Sequence, residues 1–402
     1  MRTIRPLTAA TTVLAASTAS FVLAVPTAWS AVPSTCDGKP VTLTNTTDGD
    51  DFFVQGTPGD DVIHLGAGDD YFLGNGGNDT VCGGDGADLV RLDVDGATGG
   101  SRVFGGPGAD TLIGTVANEV LWGEGGNDRI QPNGGSDNLN GGTGNEDQVD
   151  FLGSEGGAVG VNINAQKGVY TVPTGNGTVK AVERFTGTNA NDVFRGTPGP
   201  DDFKGLLGDD DIRTYKGPDY VQAAGDSVVR TGWGRDLLSL AGNVTAYAGR
   251  ERDTVLLTGN GEIRAYGQRG PDIFSITDAG YVNGGPGRDA VTLQAQQGDE
   301  GVNLDLHTGK GFWIDNPDKG PFYVFRSERI TGTKHRDILK GRYHRLDVFY
   351  GGSGNDTFYG RGRADRFYGE KGKRDVGYGG KGDDLCDVEI AHSCRRPDLT
   401  KA

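Results

Sequence analysis

Aspartates recur every ninth residue early in this chain: Asp61, Asp70, Asp79 and Asp88, each followed two positions later by an apolar residue (Ile63, Phe72, Val81, Val90). The units read GTPGDDVIH, LGAGDDYFL, GNGGNDTVC and GGDGADLVR in unbroken register, with glycines crowding the first four positions. A carboxylate at a fixed place in a stacking repeat forms a column. Two carboxylates about 5 Å apart repel by about 3 kcal/mol at an effective dielectric of 20, so a column calls for cations between its rungs. Calcium accepts about six to eight oxygens in flexible geometry, and carbonyls of the glycine bends can complete such a set. Magnesium, octahedral and slow to lose its waters, suits the site less.

The element that aligns such residues is a coil. The glycine-rich half of each unit makes a tight bend, where residues without Cβ reach positive φ and present their carbonyls. The last three residues form a short strand, its eighth-position side chain inward and its neighbours outward. Two units close one coil, and stacked coils pair their strands in parallel about 4.8 Å apart. The expected fold is therefore all-β, a parallel β-solenoid; glycine recurs too often, and no helix-period apolar stripe appears, for a long helix. The expected calcium ligands are the carboxylates of Asp51, Asp61, Asp70, Asp79, Asp88, Asp110, Asp128, Asp137, Asp192, Asp201, Asp210, Asp219, Asp289, Asp356 and Asp384. Carbonyls of the bends holding Gly59, Gly68, Gly77 and Gly86 join them.

Three arrays alternate with two spacers. A cap at 31–47 precedes array 1 (48–150); spacer 1 covers 151–186, array 2 187–292, spacer 2 293–331, array 3 332–387, and a cap or tail 388–402. In the second half of array 2 the acid survives on about every second turn, at Asp236, Asp253, Asp272 and Asp289. The spacers are copies of one another. Val161-Asn162-Ile163-Asn164 and Glu183-Arg184-Phe185-Thr186 in the first match Val302-Asn303-Leu304-Asp305 and Glu328-Arg329-Ile330-Thr331 in the second. Their alternation reads as strands that continue the stack through longer, calcium-free turns with a protruding loop. Trp313, Phe322, Tyr323 and Phe325 crowd the second loop, as local packing or as a contact patch.

The runs GNGGNDTVC–GGDGADLVR and GGSGNDTFY resemble the repeat of the RTX (hemolysin-type) calcium-binding proteins, commonly written G-G-x-G-x-D-x-U-x. The resemblance implies a right-handed parallel β-roll, with several calcium ions between turns held by the aspartates and the glycine-loop carbonyls. Both ends also resemble a secreted bacterial version. There a cysteine precedes the array (here Cys36), V-C-G-G follows (Val81-Cys82-Gly83-Gly84), and D-x-C…V-E…S-C closes the chain (Cys386, Val388-Glu389, Cys394). Many family members leave by a dedicated exporter, whereas this chain is expected to carry an N-terminal secretory leader. Arg2 and Arg5, an apolar stretch and Ala28-Trp29-Ser30 predict cleavage near Ala31.

Secretion suits the four cysteines. Pairing Cys36 with Cys82 and Cys386 with Cys394 would staple both ends of the stack; the rival reading is zinc, which the absence of CxxC disfavours. A net charge of −16 and an acidic first half argue against nucleic acid, and no later apolar run reaches membrane-spanning length. Basic residues enter the later bends (Arg235, Arg252, Arg288, Arg336, Arg345, Arg363, Lys373, Arg374), either replacing calcium or facing solvent. His335 and His344 occupy substituted bend positions; stacked imidazoles there are the other reading. There is no HExxH, GxSxG or P-loop.

The expected function is a secreted, non-catalytic calcium-binding repeat protein, extracellular or surface-associated, with a structural or adhesive role. A glycan, matrix polymer or protein is its expected partner. The alternative is a polysaccharide-modifying enzyme of lyase, epimerase or glycosidase type on a β-solenoid, with Asp305, His307, Lys310 and Asp315 as the residues to watch.

Overall fold

The computed structural model describes residues 33–43, 49–50, 53–92, 100–153, 159–259, 261–294, 300–314, 316 and 319–397. The segment expected to be a leader, and Asp51, lie outside these residues.

The nine-residue beat becomes a coil of two units. Val62 pairs with Thr80, Ile63 with Val81 and His64 with Cys82, a parallel register of 18 residues. Every inward eighth-position side chain of the opening units (Ile63, Phe72, Val81, Val90) is wholly buried. The core is thus a row of apolar rungs between two sheets. In the last array phenylalanines supply it, Phe358 and Phe367 stacking at 5.5 Å.

The two sheets differ. One is built of short strands such as Tyr71–Leu73 and Leu89–Arg91, and runs in parallel pairs from Val54–Gln55 to Leu385–Asp387. The other uses longer strands such as Val62–Ala67, Thr80–Asp85 and Val120–Gly125. Among the described residues there is no α-helix, only one 3-10 turn at Ala165–Lys167. No helix among the described residues is long and apolar enough to cross a membrane.

The spacers do not simply lengthen the turns. In the first, Asn162–Asn164, Val169–Val172 and Gly175–Lys180 form an antiparallel meander. Its last strand pairs back onto Asn138–Thr143 and its first pairs forward onto Val193–Arg195. The second repeats this with Val302–Asp305, Lys310–Trp313 and Phe322–Phe325, set between Gly280–Asn283 and Ile338–Lys340. The short-strand sheet passes both places in register, Gln148–Asp150 pairing with Arg184–Thr186 and Ala290–Leu293 with Arg329–Thr331. Strand alternation is visible in sequence, but strand direction is not, which is why the reversal differs from the expected continuous stack.

Disulfides close both ends: Cys36–Cys82 with Cα atoms 5.7 Å apart, and Cys386–Cys394 at 5.9 Å. No free cysteine is present among the described residues, so the zinc alternative falls. Trp313 and Phe322 are buried against each other, rings 5.5 Å apart, which assigns them to packing.

Candidate metal centres

Each bend delivers its acid to the same place. The carboxylate of one coil accepts a hydrogen bond from the backbone N–H of the acid one coil earlier. Asp61 N donates to Asp79 Oδ1 at 3.0 Å, Asp70 N to Asp88 at 3.0 Å, Asp88 N to Asp110 at 2.8 Å and Asp110 N to Asp128 at 2.8 Å. The arrangement is a ladder of aspartates up each edge of the solenoid. Asp61, Asp70, Asp79, Asp88, Asp110, Asp128, Asp137, Asp192, Asp201, Asp210, Asp219, Asp289, Asp356 and Asp384 all lie on the ladders, and all are buried.

Burial without full pairing raises their pKa values. Burial pushes Asp110 up to about 8 against the pull of the Asp88 amide, and the charges of Asp88, Asp128 and Glu124 add to the rise. Asp88 is likewise raised to about 7 and Asp356 to about 8. Near neutrality such groups need a proton or a cation.

The second carboxylate oxygen separates the units into kinds. In units that begin Gly-Thr, threonine satisfies it. Thr57 N and Oγ1 donate to Asp61 Oδ2 at 2.6 and 3.0 Å. Thr188 does the same service for Asp192, Thr197 N for Asp201, Thr333 for Asp337 and Thr115 for Glu119. In ten units that begin with glycine and lack the threonine, the buried Oδ2 has no hydrogen-bond partner: Asp88, Asp110, Asp128, Asp147, Asp272, Asp289, Asp356, Asp365, Asp375 and Asp384. Two such units differ, Asp210 Oδ2 accepting from Ser227 Oγ at 3.3 Å and Asp347 Oδ2 from Arg342 N at 2.6 Å. Asp219, Asp236 and Asp253 are orphaned in the same way although their units begin with Thr214, Thr231 and Ala248.

In the glycine-headed units the orphaned oxygen faces a space that a Cβ would fill. A Cβ on Gly83 would sit 2.2 Å from Asp88 Oδ2 and 2.3 Å from the Gly105 carbonyl oxygen of the next coil. One on Gly105 would sit 2.2 Å from Asp110 Oδ2 and 2.8 Å from Gly123 O. The fourth glycines also stack: Gly86, at φ +134°, packs its Cα side onto Gly68 O, and Gly77 packs onto Gly59 O. No three His, Cys, Asp or Glu side chains converge among the described residues. A cation here would therefore take mainly carbonyl oxygens with one or two carboxylates, an all-oxygen set that fits calcium.

Several ladder members escape a strict sixth-position search. Asp147, Asp347 and Asp375 sit one place late in ten-residue units, while Glu183 and Glu328 stand two residues before the buried Phe185 and Ile330 in the spacers. Asp147 N donates to Glu183 Oε2 at 2.9 Å and Asp289 N to Glu328 Oε2 at 3.1 Å, so the spacers carry the ladder across. Asp337 and Asp365 stood in plain sixth-position register.

The eight basic residues considered as calcium replacements are all exposed. Of these, Arg345 alone forms an ion pair among the described residues with a ladder acid, reaching Glu328 at 3.2 Å. A different residue enters a bend: Arg342 Nε donates to the buried Asp347 at 2.9 Å, and its Nη2 also reaches the Ser327 carbonyl. His335 and His344 precede strands of opposite sheets, so they do not stack. Asp305 is tied to Arg361 by two hydrogen bonds of 2.8 and 2.7 Å, His307 packs edge-on against Tyr343 and Lys310 lies over Phe312; Asp315 is outside the described residues. The described residues of this set are thus engaged with neighbours, Arg361 itself lying over the Tyr343 ring.

The family model for the RTX calcium-binding nonapeptide repeat (4 copies) matches residues 55–90, 95–130, 113–145, 186–221 and 347–374. No curated protein matches the chain.

Proposed function

We propose that this chain, which carries RTX calcium-binding nonapeptide repeats, is a secreted, non-catalytic protein whose solenoid is ordered outside the cell by several calcium ions bound between coils. Its role is structural or adhesive, in the extracellular space or at a cell surface. The observation that carries this reading is the buried, orphaned Oδ2 of units such as those of Asp88, Asp110 and Asp128, set against a glycine carbonyl of the next coil. Extracellular calcium is plentiful and cytosolic calcium scarce, so such a chain stays loose before export and orders afterwards.

The ions belong to the units with an orphaned oxygen and a first-position glycine: Asp88, Asp110, Asp128 and Asp147 early, Asp272 and Asp289 in the middle, Asp356, Asp365, Asp375 and Asp384 late. The threonine-capped Asp61, Asp192 and Asp201 are satisfied without an ion. Asp219 has Thr214, not glycine, at the head of its unit, and that hydroxyl donates to Thr231 O at 3.0 Å, taking the carbonyl an ion would use. Calorimetric titration of residues 31–402 with calcium tests the reading. Saturable uptake is expected, with site affinities of about 10⁻⁴–10⁻³ M. Absence of uptake, with full β structure in chelator at neutral pH, would overturn it.

A further inference from the structure

A groove of about 1270 Å³ lies on the outer side of the long-strand sheet, where the second spacer meets the end of the second array. Tyr266, Tyr281 and Tyr323 line it from neighbouring strands, with Glu262, Arg264 and Lys319 around them. The rings form a half-buried row. Tyr247 stacks on Tyr266 at 5.1 Å, Tyr266 meets Tyr281 at 5.6 Å, and Tyr281 meets Phe325 at 5.3 Å. The overhanging spacer is anchored, because Trp313 Nε1 donates to the Asp278 carbonyl at 3.3 Å. None of the described calcium-type bends opens into this groove.

We propose that the groove binds a neutral polysaccharide chain. Its volume exceeds the roughly 300–1,000 Å³ of small-ligand pockets and suits several units of a polymer. Tyrosines present an apolar ring with a polar tip, which matches the CH faces and hydroxyl edges of a sugar. The charged lining is balanced, with Glu262 and Asp278 against Arg264 and Lys319. Two of these charges are already neutralised, Arg264 by Glu262 at 3.2 Å and Lys319 by Glu300 at 2.8 Å. A polyanion would find no excess of cations here, and a lipid would find too little enclosed apolar surface. The inference takes from the calcium reading only that the chain is folded.

In-register tyrosines also stack as a packing device: Tyr359 and Tyr378 do so at 5.0 Å on the same sheet in the third array, away from the groove. That pair provides the control. Affinity electrophoresis of the calcium-saturated chain through gels containing hydroxyethylcellulose, xyloglucan, galactomannan or glycol chitin, with polygalacturonate as the charged comparator, tests the site. Retardation by at least one neutral polymer is expected. The double variant Tyr266→Ala/Tyr281→Ala should weaken it by about tenfold or more. Tyr359→Ala/Tyr378→Ala should leave it unchanged. Arg264→Ala, a solvent-facing change that leaves the fold intact, should weaken it by a smaller factor. No retardation by any neutral polymer, retardation by polygalacturonate alone, or equal loss in both double variants would overturn the proposal. Calcium uptake measured on the same samples separates a failed groove from a failed calcium reading.

Discussion

The two edges of the solenoid solve one problem in two ways. Beside the short-strand sheet an acid stands at the ladder position of coil after coil, through Asp201, Asp219, Asp236, Asp253, Asp272 and Asp289. Beside the long-strand sheet the column carries Asp192 and Asp210, then Ser227, Val244 and Ile263. Those replacements are buried, like the acids they succeed. The head of each unit changes with them. Where Asp210 has Gly205, the later units begin with Ala223, Leu240, Leu257 and Ile276, all at most 1% exposed. Ser227 still offers an oxygen to the Asp210 amide, and from Val244 onward oxygen plus a gap has been exchanged for hydrocarbon. At this edge the first-position glycine serves the carboxylate: a Cβ on Gly205 would sit 2.2 Å from Asp210 Oδ2. Once the acid is gone, the space is filled. On the other edge Asp219, Asp236 and Asp253 keep their acids with Thr214, Thr231 and Ala248 at the head.

This contrast can be broken most forcefully with pH. Asp79, Asp88, Asp110 and Asp356 have folded-state pKa values of about 7, 7, 8 and 8, raised chiefly by burial above the ordinary 3.8. A raised acid favours the fold when protonated. Its contribution is complete below about pH 4 and is lost as pH rises through 7 to 8. In chelator, the chain should therefore be most stable near pH 4–5 and lose much of its circular-dichroism β signal by pH 8. Calcium should remove that slope at neutral pH, and acidification should release calcium. A metal-free melting temperature that rises from pH 5 to pH 8 would contradict the assignment.

Next in size are substitutions that distinguish filled from open bends. Leu240→Ala leaves a cavity in the hydrocarbon-filled column and should cost about 2–5 kcal/mol in chemical denaturation, equally with and without calcium. Gly105→Ala forces a methyl against Asp110 Oδ2. It should cost about 1–3 kcal/mol of overpacking and also remove calcium uptake at that bend. Equal calcium dependence in the two variants would erase the distinction drawn between the columns.

The smallest effect is the most discriminating in sign. Asp110→Asn keeps an oxygen for the Asp88 amide but removes the charge. In chelator at pH 8 it should stabilise the chain, by about 1 kcal/mol or more for each pKa unit of neutralisation no longer required, less the screening of a partly wetted site. In calcium it should destabilise. Melting curves under the two conditions read both signs directly.

Much of this was legible in residues alone. The spacing of Asp61, Asp70, Asp79 and Asp88 gave the coil, its inward positions and the acid columns, because period and side-chain alternation are local properties of a strand. The spacers Val161-Asn162-Ile163-Asn164 and Val302-Asn303-Leu304-Asp305 read as strands for the same reason. Their direction depends on which coil each strand meets, and no local pattern encodes that. The apparent loss of every second acid after Gln222 became clear only when alternate units fell on opposite edges. The threonine caps were harder still, since Thr57 and Thr333 look like ordinary bend residues until their hydroxyls are seen within 3.0 Å of a carboxylate.

Hydrogen–deuterium exchange on the intact chain at pH 7.5, with calcium and then with chelator, compares the two kinds of bend within one molecule. The account predicts that amides around Asp88, Asp110 and Asp128 lose most of their protection when calcium is withdrawn, while those around Val244, Leu257 and Ile263 lose far less. Uniform loss along the whole solenoid, or protection of the first array that survives the chelator, would contradict it.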